Sequence, residues 1–190
     1  MKEWYRNYLI TPCVLFFFIY KGDVMLEKYF TEEEYKSLLE NNDLIYKSLE
    51  IVTKLFNEKC DKGGFPYVIH LLKVYSGVSD YIEKVCALLH DVVEDTDVSY
   101  DDLEKIGYPS DIIEILQILT KVKGEDYRDY IERIIKSENT RAMHIKLSDL
   151  RHNMEPGRIK NPTANDYERL SKRYEPAYER INNKLKEMEG

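Results

Sequence analysis

Glycine (8), proline (6) and cysteine (3) are scarce in these 190 residues. The cysteines, Cys13, Cys60 and Cys86, are odd in number and form no C-x-x-C pair. That argues against a disulfide framework or a thiolate zinc site and fits a reduced, cytoplasmic setting. Little glycine and proline, with plentiful Lys, Glu, Leu, Ile and Tyr, favours helices over sheets. Strand-like alternation, internal repeats and low-complexity linkers are also missing. There is no basic surplus: the net charge is −7. This disfavours a broad nucleic-acid or anionic-membrane surface, but not a phosphorylated small molecule, because local cations and a metal set the field in a pocket.

A long hydrophobic run is lacking too. Leu9 to Tyr20 is strongly apolar but contains Pro12 and falls short of the roughly 20 residues needed to cross a bilayer. It follows Lys2 and Arg6 without a small-x-small cleavage site. Residues 1–24 therefore read as an uncertain extension, either a targeting segment or a stretch outside the natural protein. In the second case translation would start at Met25, preceded by a purine-rich ribosome-binding sequence that encodes Lys21 to Val24. The domain expected to fold is 25–190, long enough for one core.

What is present is helical periodicity. Ile45, Leu49, Val52 and Phe56 recur at three- and four-residue steps after Asp43, a natural N-cap. Lys62-Gly63-Gly64-Phe65-Pro66 marks a loop, and a short helix follows over Tyr67–Tyr75. Asp80 caps a helix expected to run through Cys86, Leu89 and Val92 and to stop at Asp95-Thr96-Asp97. Further helices are expected over Ser99–Ile106, from Ser110 through Leu119, around Tyr127–Ile135 and over Asn139–Asn153. The tail stripe from Tyr167 to Leu185 contains Pro176, which predicts a kink or a restart. The fold class that follows is all-α, a single helical bundle.

Chemistry concentrates at Leu89-His90-Asp91-Val92-Val93-Glu94-Asp95-Thr96. On one helix His90 and Asp91 stand about 100° apart and can converge on an ion. A neutral nitrogen with a carboxylate oxygen, and no thiolate nearby, suits Mn²⁺ or Fe²⁺ better than structural zinc. Glu94 and Asp95 lie three and four residues after Asp91, close to the same face. Crowded like charges raise at least one carboxyl pKa, which suits general acid–base work on a metal-activated water. His70 and Asp149 are candidates for the missing ligands, and Lys146, Asp149 and Asn153 share a helix face. Alone, a His-Asp pair is more often chance than a site, and a polar trio is often a solvated stripe.

Taken together, His70, His90-Asp91 and Asp149 resemble the H…HD…D order of the HD-domain phosphohydrolases. More narrowly, Pro66-Tyr67-x-x-His70, His90-Asp91-x-x-Glu94-Asp95-Thr96, Thr120-Lys121 and Lys146-Leu147-x-Asp149-x-x-x-Asn153 are similar to the hydrolase domain of the RelA/SpoT alarmone enzymes. The likeness runs from about Asp43 to Tyr178. It implies an HD-domain helical bundle with one Mn²⁺ held by His70, His90, Asp91 and Asp149, and Glu94 and Asp95 handling the attacking water. It also implies Lys62, Tyr67, Lys146 and Asn153 near substrate. The reaction implied is removal of the 3′-pyrophosphate from guanosine penta- or tetraphosphate, as in the stand-alone small alarmone hydrolases. The partner expected is a nucleotide, with no nucleic acid and no membrane; homo-oligomerisation stays open. A phosphatase acting on a phosphorylated nicotinamide dinucleotide or a nucleoside monophosphate, and a non-catalytic nucleotide-binding module, are the alternatives. The departures fall on the substrate side: Asp61 stands where the resemblance would place an arginine, and Leu71 where it would place a proline. Arginine at position 61 is accordingly expected to tighten binding of a polyphosphorylated guanosine.

Overall fold

In the computed structural model, residues 25–189 are described; the extension 1–24 lies outside them. They form eleven α-helices: α1 (Glu32–Glu40), α2 (Leu44–Leu55), α3 (Tyr67–Ser76), α4 (Tyr81–Leu89), α5 (Val92–Asp95), α6 (Tyr100–Lys105), α7 (Ser110–Leu119), α8 (Tyr127–Lys136), α9 (Thr140–Asn153), α10 (Ala164–Arg169) and α11 (Glu175–Glu189). The described residues contain no strand, and one isolated β-bridge joins Cys60 and Pro66. No helix among them is long and apolar enough to cross a membrane.

Helix starts follow local chemistry. Asp43 accepts from the backbone N–H groups of Ile45 and Tyr46, and Asn139 accepts from that of Ala142. Each satisfies donors that the first helical turn leaves unpaired. Pro176 produces no break within α11. The chain instead passes through a π-turn at Leu170–Tyr174 immediately before it. Proline lacks the N–H that would bond one turn back, and a π-turn is a recognised way to absorb such a gap.

Two apolar clusters share one wall. Helix α4 packs on α2, α3, α7 and α9, while α9 also meets α8 and α11. Ala142 and Ile145 of α9 join the larger cluster; Met143, Leu147 and Leu150 join the smaller one with Tyr130, Ile134, Ile181 and Leu185. A helix buried from two sides has little room for a polar face, so Ser148, Asp149 and His152 are buried with it. Such groups demand partners. Ser148 finds one in α3, donating its hydroxyl to the Val74 carbonyl at 2.8 Å. The approach is close: a Cβ on Gly77 would lie 2.1 Å from the Ser148 Oγ.

One expected element is divided. The helix predicted to run from Asp80 to a stop at Asp95-Thr96-Asp97 is interrupted: α4 ends at Leu89, and α5 covers Val92–Asp95. His90 keeps helical angles, but Asp91 sits at φ −101° and ψ −2°, in the bridge region. His90 and Asp91 are therefore junction residues rather than neighbours on a regular helix. The contact between α3 and α9 predicts that Gly77→Ala destabilises the protein by about 1–3 kcal/mol through overpacking. Chemical denaturation checks this, and Ser148→Ala in the same background should restore part of the loss.

Candidate metal centre

Three packed elements deliver four side chains to one place. His70 comes from the middle of α3, His90 and Asp91 from the α4–α5 junction, and Asp149 from α9. The ligand atoms of His70, His90 and Asp91 lie within 4.8 Å of one another. Nε2 of His70 is 3.5 Å from Asp91 Oδ2 and 3.3 Å from Asp149 Oδ1. The cluster is enclosed: the side chain of His70 is 3% exposed and that of His90 6%.

The nitrogens face inward because their other edges are occupied. A carbonyl can only accept, so His90 Nδ1–H donates to Ala87 O at 2.8 Å, which turns Nε2 towards the cluster. That Nε2 is buried and makes no hydrogen bond, although Asp91 Oδ2 is 3.1 Å away. An imidazole nitrogen facing a carboxylate oxygen in this way can share a cation with it once the nitrogen gives up its proton. His70 Nδ1 lies 2.6 Å from His152 Nδ1. Burial, with the charges of His70 and Arg158, pushes His152 down to about 4, so its neutral ring accepts here. His152 thus orients His70, and its own Nε2 lies 3.8 Å from Glu155. His144 lies away from the cluster, paired with Glu83 at 2.6 Å.

The carboxylates are equally constrained. Burial opposes ionisation of Asp91, but the His90 and His70 imidazoles outweigh it and hold the group well below the usual range. Its Oδ2 also accepts from the Tyr67 hydroxyl at 2.5 Å. Asp149 is held low against burial, chiefly by Lys146, whose Nζ is 2.7 Å from Oδ2. Asn153 Nδ2 donates to Asp149 Oδ1. Three residues expected at the substrate, Tyr67, Lys146 and Asn153, therefore bond the acidic members of the cluster directly. Glu94 and Asp95 line the same cavity, of about 390 Å³, as does Lys62. Burial raises the Glu94 carboxyl, whose Oε2 accepts from the Lys121 backbone N–H at 3.1 Å. Asp95 is paired with Lys59 at 2.7 Å.

Lys59 and Arg158 did not stand out in the sequence. Lys59 sits 4.6 Å from the Tyr67 ring centroid, so it spans Asp95 and the aromatic wall. Arg158 has its Nε 3.3 Å from Asp61 Oδ2, with side chains 11% and 3% exposed. Asp61 Oδ1 meanwhile accepts from the backbone of Gly63 at 2.8 Å and Phe65 at 3.0 Å. Position 61 is thus a buried acceptor that builds its own turn. The expectation that arginine there would tighten substrate binding is replaced by the opposite one, because it would face Arg158 and leave two N–H groups unpaired.

A helical bundle carrying histidine and aspartate at these places is the arrangement that the resemblance to HD-domain phosphohydrolases implies. No model of a known protein family matches the chain. A guanosine-3′,5′-bis(diphosphate) 3′-pyrophosphohydrolase from Drosophila melanogaster is 37% identical over 119 residues, covering 57% of this chain and 65% of that protein. An enzyme of the same description from Borreliella burgdorferi is 31% identical over 139 residues, 65% of this chain but 20% of its own length. The chain thus spans less than two thirds of these relatives. A solved structure described as a metazoan ortholog of SpoT that hydrolyzes ppGpp aligns with a TM-score of 0.64 and 28% identity, over 76% of this chain and 86% of that one. The chain is similar in sequence to these pyrophosphohydrolases and similar in fold to the SpoT ortholog.

In the metal-free protein, burial alone would lower His70, but Asp149 and Asp91 more than offset it and raise the group from 6.5 to about 9. Stability from that proton is complete below the unfolded value and is lost as pH rises through about 9. A metal needs the nitrogen bare, so Mn²⁺ affinity should climb from pH 6 towards pH 9, approaching tenfold per pH unit. Titration with Mn²⁺ at fixed ionic strength tests this, and a flat profile would refute it. Asp61→Arg should destabilise the fold by roughly 3 kcal/mol or more, the cost of breaking a buried pair, seen as a lower denaturation midpoint.

Proposed function

We propose that the protein is a metal-dependent hydrolase that removes the 3′-pyrophosphate from guanosine penta- and tetraphosphate. The names of its relatives suggest the substrate. The observation that carries the reading is the pair Glu94 and Asp95 in one cavity with the buried cluster of His70, His90 and Asp91. A module that only bound a nucleotide would have no need of a raised carboxyl beside a metal site. In this reading His70, His90, Asp91 and Asp149 hold one Mn²⁺, with Fe²⁺ as an acceptable substitute for the same donors. The functional domain is 25–190, and the setting is the cytoplasm.

Charge supports the assignment. Five cationic side chains, Lys59, Lys62, Lys121, Lys146 and Arg158, line the cavity against five carboxylates, Asp61, Asp91, Glu94, Asp95 and Asp149. The lining is balanced, and a divalent ion makes it net positive, as a polyphosphate requires. When bound, that ion supplies Lewis-acid stabilisation of phosphoryl charge and acidifies water. Glu94, raised by burial, is suited to take a proton from the attacking water. Asp95, fixed by Lys59, orients the nucleophile. Lys62 at the cavity wall meets substrate phosphate as a point charge.

With Mn²⁺ and guanosine tetraphosphate the protein should release pyrophosphate rather than phosphate. Glu94→Gln and Asp95→Asn should each lower kcat by about 10²–10⁴ with bound Mn²⁺ unchanged by metal analysis. Phosphate release from a nicotinamide dinucleotide phosphate, with none of the alarmone consumed, would reassign the substrate. Full turnover by both variants would remove the pair from the chemistry.

A further inference from the structure

Two loops meet at the mouth of the cavity: the turn at 61–66, which carries Lys62, and the segment after α9, which carries Arg158. Backbone contact joins them, since a Cβ on Gly63 would fall 2.2 Å from the Arg158 carbonyl oxygen. Side chains join them as well. Asp61, pinned by the Gly63 and Phe65 N–H groups, faces Arg158 Nε at 3.3 Å. Arg158 Nη1 donates to Asn153 Oδ1, and Asn153 Nδ2 donates to Asp149 Oδ1.

We propose that Arg158 is a positioning residue that fastens the 61–66 turn to Asp149 through Asn153 and thereby sets the affinity of the metal site. Guanidinium has donors only, so the carboxamide must present its oxygen to Arg158. That locks the amide with its nitrogen toward Asp149. With Lys146 on Oδ2 and Asn153 on Oδ1, both oxygens of Asp149 are fixed, and Oδ1 stays 3.3 Å from His70 Nε2. The planar fork of arginine reaches Asp61 with Nε and Asn153 with Nη1 at once; a lysine ammonium is a single point and reaches one. Asp61 therefore does not leave the cavity short of a guanidinium. It holds one supplied by the segment that follows α9.

The proposal rests on the metal reading of Asp149 and is independent of the substrate. Its test is the Mn²⁺ dissociation constant of the full chain, read from the electron paramagnetic resonance of free Mn²⁺, with thermal melts alongside. Arg158→Gln should weaken Mn²⁺ binding by about 10-fold or more, the usual effect of losing an outer partner of a ligand. Arg158→Lys should fall between this variant and the parent. Asp61→Asn should weaken binding in the parent and add nothing further in the Arg158→Gln background, where the link is already cut. An Arg158→Gln protein that melts lower yet binds Mn²⁺ within twofold of the parent would show a merely structural role and overturn the proposal. If that variant does not fold, Asn153→Ser serves, since it leaves the Asp61–Arg158 pair intact; binding within twofold of the parent overturns the proposal equally. A parent that binds no Mn²⁺ removes the metal reading and the proposal together, before any substitution is made.

Discussion

Two imidazoles and two carboxylates share a space a few ångströms across at the meeting of α3, the α4–α5 junction and α9. Without a cation such a group is stable only if protons take the cation's place, and His70 accordingly binds one far above the ordinary histidine range. Much of the neighbouring structure satisfies this cluster. Tyr67, His152, Lys146 and Asn153 each bond one atom of the buried cluster. The Ser148–Val74 bond and the bare Cα of Gly77 bring α3 near enough to α9 for His70 to meet Asp149. Packing of the helices and chemistry of the centre are one arrangement.

Most of the helices were legible because their signals are local. Asp43, Asp80 and Asn139 cap helices where the apolar periodicity begins, and Gly63-Gly64 with Pro66 marks a real turn. The candidate ligands were legible because their order along the chain carries information. The division of the helix at His90-Asp91 was not, since both residues are compatible with helix and the departure of Asp91 answers to partners on α3. The π-turn before Pro176 was half visible: proline announced a disturbance but not where the chain would absorb it.

The cations were the least legible part. Arg158 sits in an irregular segment after Pro156-Gly157, where no periodicity assigns a direction to a side chain. Its meaning depends on Asp61, 97 residues away in the chain. Asp61 read as a missing arginine because sequence comparison aligns positions, whereas the cavity requires only that a guanidinium arrive from somewhere. Lys59 was overlooked for a related reason, since its partners Asp95 and Tyr67 come from different elements.

Helix α9 belongs to both apolar clusters, and Asp149 stands on it. The centre therefore has no scaffold of its own that could outlive the rest. Should α11 peel from the bundle, α9 would lose one of its two walls, and with it part of the packing that holds Asp149 in place. Partial opening and loss of the centre become the same cooperative event. Evolution along this chain is then limited in a particular way: changes to Ile181 or Leu185, though remote from the histidine–aspartate cluster, are inherited by it as changes in how long it stays assembled.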